Sequence, residues 1–517
     1  MDRESPPLIK CIPAITSIIT KPTIDTALFE SEPNPWSLGY HFMYNNWDKY
    51  KDFFQYGRFV IIILGCLLGW LLYRFGMELY GKSGGLLALF LFVFNPNIIA
   101  HSRLITIDIG ASCTIFLSIY CFRTYLKRKD LFFAIVVGFT LGLAQLSKFT
   151  ALLLYPIFLI IIGILAVKKD FLNSINSSNN GKPQTVRDIG HFLVIISVSL
   201  LVINAGYLFS GTFRSIGDYQ FLSGPLRTIS AMLWEAIPVP LPYEYISGFD
   251  SQMAISEGNN LFYTSYLMGE HSLEGWWYYY IIAFIVKNPL AFFLILIIAI
   301  ITWIKKGGTE LEDGLCLWIP VIGFFLYFSS FTHIPIGVRF LLPVFPLLFL
   351  AAGNIVNAKF LKNKTGKIII SVLAIAYLIP ALSNYPNYLS YFNMIAGGSG
   401  NGHRWLIDSN LDWGQDLPGL KKYMEKNGIE EIKLGYFGRV DPEIYGIKYT
   451  LPENNLEQGY YAISVNFLVG RPYYLLKENP KELLYVGMDY FKKYRLLKPV
   501  EIINNTIYIF DVENGSI

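Results

Sequence analysis

Charged residues are scarce in this sequence. They make up 15% of its 517 residues, whereas a soluble domain carries about 25%, and hydrophobic residues reach 53%. The formal net charge of +4 is small for so long a chain, which argues against a nucleic-acid-binding surface. The composition therefore indicates an integral membrane protein whose first partner is the lipid bilayer, and we expect no nucleic acid among its ligands.

Cysteines are few as well, and they are scattered, mostly inside apolar runs. Their spacing is neither that of a disulfide framework nor that of a metal site. Internal repeats are also lacking, which disfavours the secondary transporters that are built from such repeats. The five cysteines are Cys11, Cys66, Cys113, Cys121 and Cys316.

About ten apolar runs have the length of roughly 20 residues that is needed to cross a bilayer. Basic residues cluster in every second connection between the runs, and the positive-inside rule places these connections in the cytoplasm. We therefore expect the other connections, the first fifty-odd residues and the C-terminus on the extracytoplasmic side. The runs begin near Gly57, Gly84, Leu104, Leu131, Phe149, Gly190, Tyr278, Leu315, Val338 and Ile368.

The apolar pattern divides the chain into three parts. Residues 1–56 form an extracytoplasmic segment, residues 57–386 form a membrane domain with a long polar loop at 210–276, and residues 387–517 form a tail. The predicted fold class is an α-helical polytopic membrane protein with a small C-terminal α/β extracytoplasmic domain. In the tail, the pattern predicts a helix at 420–427 that ends at Gly428, and strands at 432–437, 460–467 and 507–512.

Polar residues at membrane depth are costly, and they are therefore the first candidates for a functional site. Asp108 lies just inside a predicted helix, so its carboxylate needs a partner or a water-filled cavity. Arg103 is the nearest cation in the sequence, and His101 precedes it in the same short connection. The alternative is that Asp108 is only a helix N-terminal charge that faces the helix dipole.

Three further cations lie near the expected extracytoplasmic face. Arg339 opens a predicted helix shortly after His333, and a guanidinium there suits bidentate capture of a phosphate. Lys148 and Lys287 each lie inside an apolar run. Each of the three alone is also explained by extension of its side chain to lipid headgroups, whereas a set of cations around one cavity predicts an anionic lipid headgroup as ligand.

Lys10 follows a pair of prolines, Pro6 and Pro7, that stiffen the chain and remove two backbone donors. They would hold the lysine in a fixed direction toward a ligand. The alternative is a solvated lysine in a proline-rich loop, and the local pattern does not separate the two.

Residues 408–416 are rich in acids, which raises the question of a calcium site. They lack the central Gly and the closing Glu of a helix-loop-helix calcium site. We interpret this segment as a surface turn that caps the helix beginning near Leu420.

Six sets of short motifs occur in a fixed order along most of the chain. They are Pro6-Pro7-Leu8-Ile9-Lys10, His101-Ser102-Arg103-Leu104 through Asp108, Leu146-Ser147-Lys148-Phe149, Gly275-Trp276-Trp277-Tyr278 with Lys287-Asn288-Pro289, Gly337-Val338-Arg339-Phe340-Leu341-Leu342-Pro343, and Tyr391-Phe392-Asn393 with Asp408-Ser409-Asn410-Leu411-Asp412-Trp413-Gly414-Gln415. Together they resemble the protein O-mannosyltransferases, glycosyltransferase family 39, and the bacterial relatives of this family that use phospholipid-carrier sugars.

The resemblance implies a GT-C-like membrane fold and a place in a membrane such as the bacterial inner membrane. It implies inverting transfer of a sugar from a polyprenyl-phosphate carrier to a hydroxyl of a protein or glycan acceptor, with cations stabilising the lipid phosphate that leaves. The substrate-binding residues that it implies are Lys10, His101, Arg103, Lys148, Lys287, His333 and Arg339, with Asp108 as the catalytic carboxylate.

The chain departs from the family pattern at two points. Ser5 stands where the family has His, and the acidic catalytic pair that the family carries upstream, with one preceding helix, has no counterpart here. We therefore expect this chain by itself to be inactive or nearly so as a transferase. A divalent metal could replace part of the cationic charge, although no ligand cluster requires one. The alternatives are a non-enzymatic lipid-sugar flippase or transporter, and a catalytically inactive relative.

We predict that the 210–276 loop and the tail both lie on the extracytoplasmic side. Single cysteines introduced at Ser256 and at Asn454 should react with a membrane-impermeant maleimide in intact cells, because both positions are expected outside the cytoplasm. Protection of both positions until the cells are permeabilised would contradict the topology.

Overall fold

A computed structural model of the protein describes residues 5–31, 34–175, 182–257, 264–306, 309–332, 335–453, 456–477 and 481–512. Most of the described residues are helical, and the strands occur in two places, the polar loop and the tail. The predicted fold class, an α-helical membrane protein with a small C-terminal α/β domain, is confirmed.

The described residues among the first fifty form short helices that lie against the long helices of the membrane domain. The backbone N–H of Leu8 donates to the carbonyl of Leu146 at 3.0 Å. The side chain of Ile9 fills the space beside Gly110, where an added Cβ would lie 2.5 Å from Ile9. These helices are α1 (Leu8–Ala14), α2 (Ser17–Thr20), α3 (Thr26–Ser31) and α4 (Pro35–Asn45).

The membrane domain and its polar loop contain thirteen helices among the described residues. They are α5 (Tyr50–Val93), α6 (Pro96–Ser102), α7 (Ile107–Arg128), α8 (Leu131–Gln145), α9 (Leu154–Ile175), α10 (Lys182–Gly206), α11 (Gly224–Met232), α12 (Tyr243–Ser256), α13 (Tyr279–Lys287), α14 (Leu290–Lys305), α15 (Leu311–Phe331), α16 (Phe345–Gly353) and α17 (Lys364–Ser383).

All ten predicted apolar runs are helical, but fewer helices of the described chain are long enough to span a bilayer. Seven are long and apolar enough, or eight if α13 and α14, which are bent by 107° at the break between them, form one span. The 15-residue helix α8 is shorter than a span. The count therefore falls below ten because the first two runs lie in one long helix, α5, because α8 is short, and because α13 and α14 form a broken pair.

The first two predicted runs form the two arms of one helical hairpin. Gly81 has a φ of +76° inside α5, a conformation that glycine adopts without strain. The chain turns back there, so that a Cβ on Gly85 would lie 2.7 Å from the carbonyl oxygen of Tyr73, and one on Gly69 would lie 3.2 Å from the ring of Phe92. The two arms pack closely because these positions lack side chains.

The tail contains a five-stranded mixed sheet, whose strands in spatial order are β4 (Lys448–Thr450), β3 (Glu431–Gly435), β5 (Gly459–Ser464), β9 (Ile507–Val512) and β8 (Glu501–Ile503). Helix α18 (Leu417–Asn427) packs through Leu420 and Met424 on the sheet, and it ends at Gly428 with a φ of +65°, as predicted. The short helix α19 (Val465–Leu468) follows β5. The other strands are β1 (Ser265–Leu267) and β2 (Glu270–Ser272) in the loop, and β6 (Tyr473–Leu476) and β7 (Leu483–Val486) in the tail.

The N-terminal segment, the polar loop and the tail meet at one end of the helix bundle. The hydroxyl of Tyr44 in α4 donates to Asp441 of the tail at 3.0 Å, and His271 of the loop is hydrogen-bonded to the carbonyl of Val469 at 2.8 Å. A buried ion pair lies at the other end of α7, where Arg123 contacts Asp313 at 2.6 Å. The candidate site lies at the end where the three parts meet.

Candidate functional site

Asp108 lies in the first turn of α7, and two cations from other elements enclose its carboxylate. Lys148 Nζ donates to Oδ1 at 2.7 Å, and Arg339 Nη1 lies 3.9 Å from Oδ2. The residue is 1% exposed. The prediction that Arg103 is its partner is wrong, because Arg103 follows the last turn of α6 and points outward, where it donates to the carbonyl of Pro386 at 3.1 Å.

Lys148 reaches Asp108 from a break in the helices. It stands between the end of α8 and a 3-10 helix, Phe149–Leu153, in an extended conformation. Its ammonium lies 4.7 Å from the centre of the Phe340 ring, and the residue is buried. The side chain therefore points into the protein and does not extend to lipid headgroups.

Arg339 is the second residue of another 3-10 helix, Val338–Val344. Its guanidinium lies between two aromatic rings. The guanidinium carbon is 5.0 Å from the centre of the Phe340 ring and 4.7 Å from that of Trp413. Such cation–π contacts fix the plane of the group. Its Nε is buried without a hydrogen-bond partner in the described structure, but the side chain as a whole is 21% exposed, so part of the guanidinium faces the cavity.

The tail holds the backbone that carries Arg339. Ser409 Oγ donates to the carbonyl of Ile336 at 2.7 Å, and the N–H of Val338 donates to Asn410 Oδ1 at 2.8 Å. An added Cβ on Gly337 would lie 2.5 Å from Ser409 Oγ, so this approach requires glycine. The tail thus sets the position of the guanidinium.

The segment 408–416 is mostly buried, and its interpretation as a surface turn is wrong. Ser409 is 1% exposed and Asn410 is 0% exposed. The segment lies between the backbone beside Arg339 and the sheet of the tail, because its polar side chains form hydrogen bonds with both. Its acids bind protein groups: Asp408 pairs with Arg471 at 3.0 Å, and Asp416 accepts from Thr506 at 2.6 Å.

Lys287 is enclosed at the end of α13 and secures the same segment. Its Nζ donates to the carbonyls of Asn410 at 2.7 Å and Leu389 at 2.8 Å, and it lies 4.3 Å from the centre of the Phe392 ring. Asn393, from the same predicted motif as Phe392, donates to two carbonyls near the end of α13. In this structure Lys287 joins the tail to the membrane helices.

The other predicted residues lie around this cluster. His101 is 1% exposed, 6.5 Å ring to ring from Trp413, and burial lowers its pKa to about 4, so it is neutral at physiological pH. Lys10 donates to the carbonyl of Ser5 at 2.7 Å. His333 lies outside the described residues. The structure brings Asp108, Lys148, His101 and Arg339 together, and it leaves Arg103 outside the cluster.

A cavity of about 700 Å³ opens beside Arg339 between the helices and the tail. This volume falls in the range of small-molecule sites, roughly 300–1,000 Å³. The charged residues that line it are three arginines and one aspartate, so its wall carries an excess of positive charge. Besides Arg339 and Phe340, its charged and aromatic lining residues are Trp36, Asp408, Trp413, Phe437, Arg439, Arg471, Tyr473, Tyr474 and Tyr485.

Sequence reasoning missed the arginines that the tail contributes to this cavity. Arg439 and Arg471 lie in the polar sequence of the tail, where a charged side chain is ordinarily exposed to water. No local pattern distinguishes them from the other charged residues there. Trp36 was missed for the same reason, since it belongs to a polar segment. The only signal in this part of the chain was the motif around Asp408, and it did not show what the segment contacts.

The described residues contain no group of three or more His, Cys, Asp and Glu side chains placed to bind a metal ion. The carboxylate of Asp108 is already engaged by Lys148 and Arg339, and that of Asp408 by Arg471. The residues around Arg339 therefore do not fit a divalent metal.

Residues 52–177 match the family model of the dolichyl-phosphate-mannose-protein mannosyltransferases. The predicted family resemblance is confirmed over these residues. The matched stretch contains His101, Asp108 and Lys148, whereas Arg339 and the tail lie beyond it. The comparison with curated proteins gives no match.

Two solved structures are similar to the chain over most of its length. ArnT from Cupriavidus metallidurans bound to undecaprenyl phosphate is 10% identical, with a TM-score of 0.45 over 98% of this chain and 87% of ArnT. The oligosaccharyltransferase AglB from Archaeoglobus fulgidus, in complex with an inhibitory peptide and a dolichol-phosphate, is 12% identical, with a TM-score of 0.36 over 97% of this chain and 67% of AglB.

Asp412 is a buried acid in the segment that positions Arg339. The Gly414 N–H donates to its Oδ1 at 2.9 Å, and Ser464 Oγ donates to Oδ2 at 2.5 Å. Burial nevertheless raises the pKa of Asp412 to about 7, and the neighbouring Asp416 and Asp408 add to this effect. In the unfolded chain the carboxyl has an ordinary pKa near 3.8.

We predict that the protein loses stability as the pH rises from about 4 to about 7, because the folded state then holds a proton on Asp412 that the unfolded chain has released. Asp412→Asn keeps a donor and an acceptor but cannot ionise. Its melting temperature in detergent should exceed that of the wild type at pH values above 7, and the difference should shrink below pH 5.

Asp489→Asn, which alters an exposed acid of the tail, is the matched control and should leave the pH profile unchanged. A difference between Asp412→Asn and the wild type that is the same at low and high pH would contradict the assignment.

Proposed function

We propose that the protein is a membrane glycosyltransferase that moves a sugar from a polyprenyl-phosphate carrier to an acceptor hydroxyl. The observation that carries the proposal is the setting of Arg339: its guanidinium is fixed between Phe340 and Trp413, its side chain is partly exposed, and it borders a cavity large enough for a sugar. A planar fork of this kind matches a phosphate. The family match over residues 52–177 supports the class of donor.

The charges around Arg339 favour a phosphate over a neutral headgroup. Arg339 and Lys148 share the single carboxylate of Asp108, so the cluster has one positive charge in excess. A phosphate ester at the cavity side of Arg339 would supply the missing negative charge. The lipid tail of the donor would then follow the apolar surface of the helices, and its sugar would lie in the cavity.

In the proposed reaction the acceptor oxygen attacks the anomeric carbon from the face opposite the phosphate. The new glycosidic bond forms with inversion, the bond between the anomeric carbon and the phosphate oxygen breaks, and lipid phosphate leaves. Arg339 stabilises the charge that develops on the leaving phosphate, as preorganised cations do in sites of low dielectric. The proton of the acceptor hydroxyl passes to a carboxylate base.

Asp108, the predicted catalytic carboxylate, is placed to act first through its neighbours. Both of its oxygens face cations and it is 1% exposed. We propose that it holds Lys148 and Arg339 in position for the phosphate. Its loss would leave two buried cations without a counter-ion, which is strongly unfavourable, so donor binding should suffer together with transfer.

We place this site on the extracytoplasmic side of the membrane. The N-terminal segment, the polar loop and the tail meet at the site, and the buried pair of Arg123 and Asp313 lies at the opposite end of α7. Arg123 belongs to a basic connection that the positive-inside rule assigns to the cytoplasm. The acceptor would accordingly be a protein or a glycan outside the cytoplasm.

We predict that Arg339→Ala weakens binding of undecaprenyl phosphate about 10- to 100-fold, the loss expected for hydrogen bonds to a charged group. Arg339→Lys should fall between the wild type and Arg339→Ala, because lysine keeps the charge but not the planar fork. Native mass spectrometry of the purified protein, titrated with the lipid, measures the bound fraction.

Arg214→Ala is the matched control. Arg214 also stacks on an aromatic ring, that of Tyr243 at 4.6 Å, but it lies outside the cavity. This variant should bind the lipid as the wild type does. Unchanged binding in Arg339→Ala, or an equal loss in Arg214→Ala, would remove Arg339 from the site.

A further inference from the structure

Arg439 faces the same cavity from the tail and is held in place by aromatic rings. Its guanidinium carbon lies 4.7 Å from the centre of the Tyr473 ring, 5.1 Å from that of Trp36 and 5.3 Å from that of Tyr474. Its Nε donates to the hydroxyl of Tyr473 at 3.1 Å. Its Nη1 is buried, but the residue as a whole is partly exposed and lines the cavity. The group is thus fixed in position and accessible in part from the cavity.

The charge of Arg439 is not balanced by the acid that lines the cavity. Asp408 is paired with Arg471 at 3.0 Å. Asp441, two residues after Arg439, is engaged by Lys481 at 2.9 Å and by Tyr44 at 3.0 Å. Among the residues that the structure describes, no carboxylate forms an ion pair with Arg439. An anionic ligand would provide the counter-ion for Arg439.

The surroundings of Arg439 fit a sugar better than a peptide. Trp36, Tyr473 and Tyr474 present rings and Tyr hydroxyls around it, and sites of this kind combine flat apolar surface with a few placed polar groups. Rings of this type pack on the apolar faces of sugars, while the guanidinium pairs with a carboxylate or a phosphate. An uncharged Ser or Thr peptide would leave Arg439 without a counter-ion.

We infer that the tail end of the cavity binds the acceptor, and that the acceptor is an acidic glycan whose carboxylate or phosphate pairs with Arg439. This inference rests on the proposed function, in which Arg339 holds the phosphate of the donor. The anionic donor and the anionic acceptor require two separate cations. The membrane domain supplies Arg339 for the donor, and the tail supplies Arg439 for the acceptor. The acceptor hydroxyl would then lie between them, next to the donor sugar.

The test is calorimetric titration of the purified full-length protein with defined probes. A tetrasaccharide of alternating glucuronate and N-acetylglucosamine is compared with the neutral tetramer of N-acetylglucosamine, and mannose 6-phosphate is compared with mannose. At least one acidic probe should bind about tenfold or more tightly than its neutral counterpart, the scale of a charge-assisted hydrogen bond. Preference for the glucuronate probe identifies a carboxylate as the anion, and preference for mannose 6-phosphate identifies a phosphate.

Arg439→Gln should abolish this preference and leave binding of undecaprenyl phosphate unchanged. Arg439→Lys should restore part of the preference, since it keeps the charge. Arg495→Gln is the matched control, because Arg495 is an exposed arginine of the tail that donates to the carbonyl of Met488 at 3.0 Å and lies outside this cavity. It should keep the preference.

The outcomes separate this inference from the proposed function. Suppose that undecaprenyl phosphate still binds. Equal binding of acidic and neutral probes, or no binding of either at millimolar concentration, then overturns the inference that the acceptor is acidic and leaves the proposed function intact. An equal loss of lipid phosphate and acidic probe in Arg439→Gln overturns it as well, since Arg439 would then belong to the donor site. Acidic probes that bind to a protein without affinity for undecaprenyl phosphate would support the glycan site and overturn the proposed function instead.

Discussion

The carboxylate of Asp108 is buried among membrane helices, and a buried charge is tolerated only when it is well paired. Lys148 reaches it from the break after α8, and Arg339 reaches it from the loop before α16. The segments that carry Asp108, Lys148 and Arg339 are far apart in the sequence, and these ion pairs bring them together. Since the two cations outnumber the single acid, the same interaction that closes the bundle leaves a positive charge at the edge of the cavity.

The tail belongs to this arrangement as much as the helices do. Ser409 and Asn410 form hydrogen bonds with the backbone on both sides of Gly337, and Trp413 stacks on the guanidinium of Arg339. Lys287 donates hydrogen bonds to two backbone carbonyls in this part of the chain. A change in how the tail docks would therefore move Arg339. The tail also supplies Arg439 and Arg471, so the two ends of the cavity are built by different parts of one chain.

Much of the fold was predictable from the sequence, because long apolar runs and alternating strands are local patterns. All ten apolar runs are helical, Gly428 ends its helix, and residues 507–512 form a strand as predicted. The hairpin at Gly81 was not foreseen, since hydropathy records that a run is apolar but not in which direction the chain leaves it. The close approach of Gly85 to Tyr73 is visible only in three dimensions.

The site was predictable only in part, for a related physical reason. Asp108, Lys148 and Arg339 attracted notice because a charge in an apolar run is unusual. Which cation pairs with Asp108 depends on how helices cross, and Arg103, although nearest in the sequence, points away. Arg439 stands among polar residues, where an arginine is ordinary. Its role arises from the rings of Trp36 and Tyr473, which come from opposite ends of the chain.

In the proposed function the guanidinium of Arg339 binds the phosphate of the carrier lipid at the edge of the cavity. A cryo-electron microscopy structure of the protein in lipid nanodiscs with undecaprenyl phosphate tests it most directly. We expect phosphate density about 3 Å from the guanidinium nitrogens, within hydrogen-bond distance, with the lipid tail along the membrane helices. Phosphate density elsewhere on the protein, with the Arg339 guanidinium unoccupied in the same map, would contradict it.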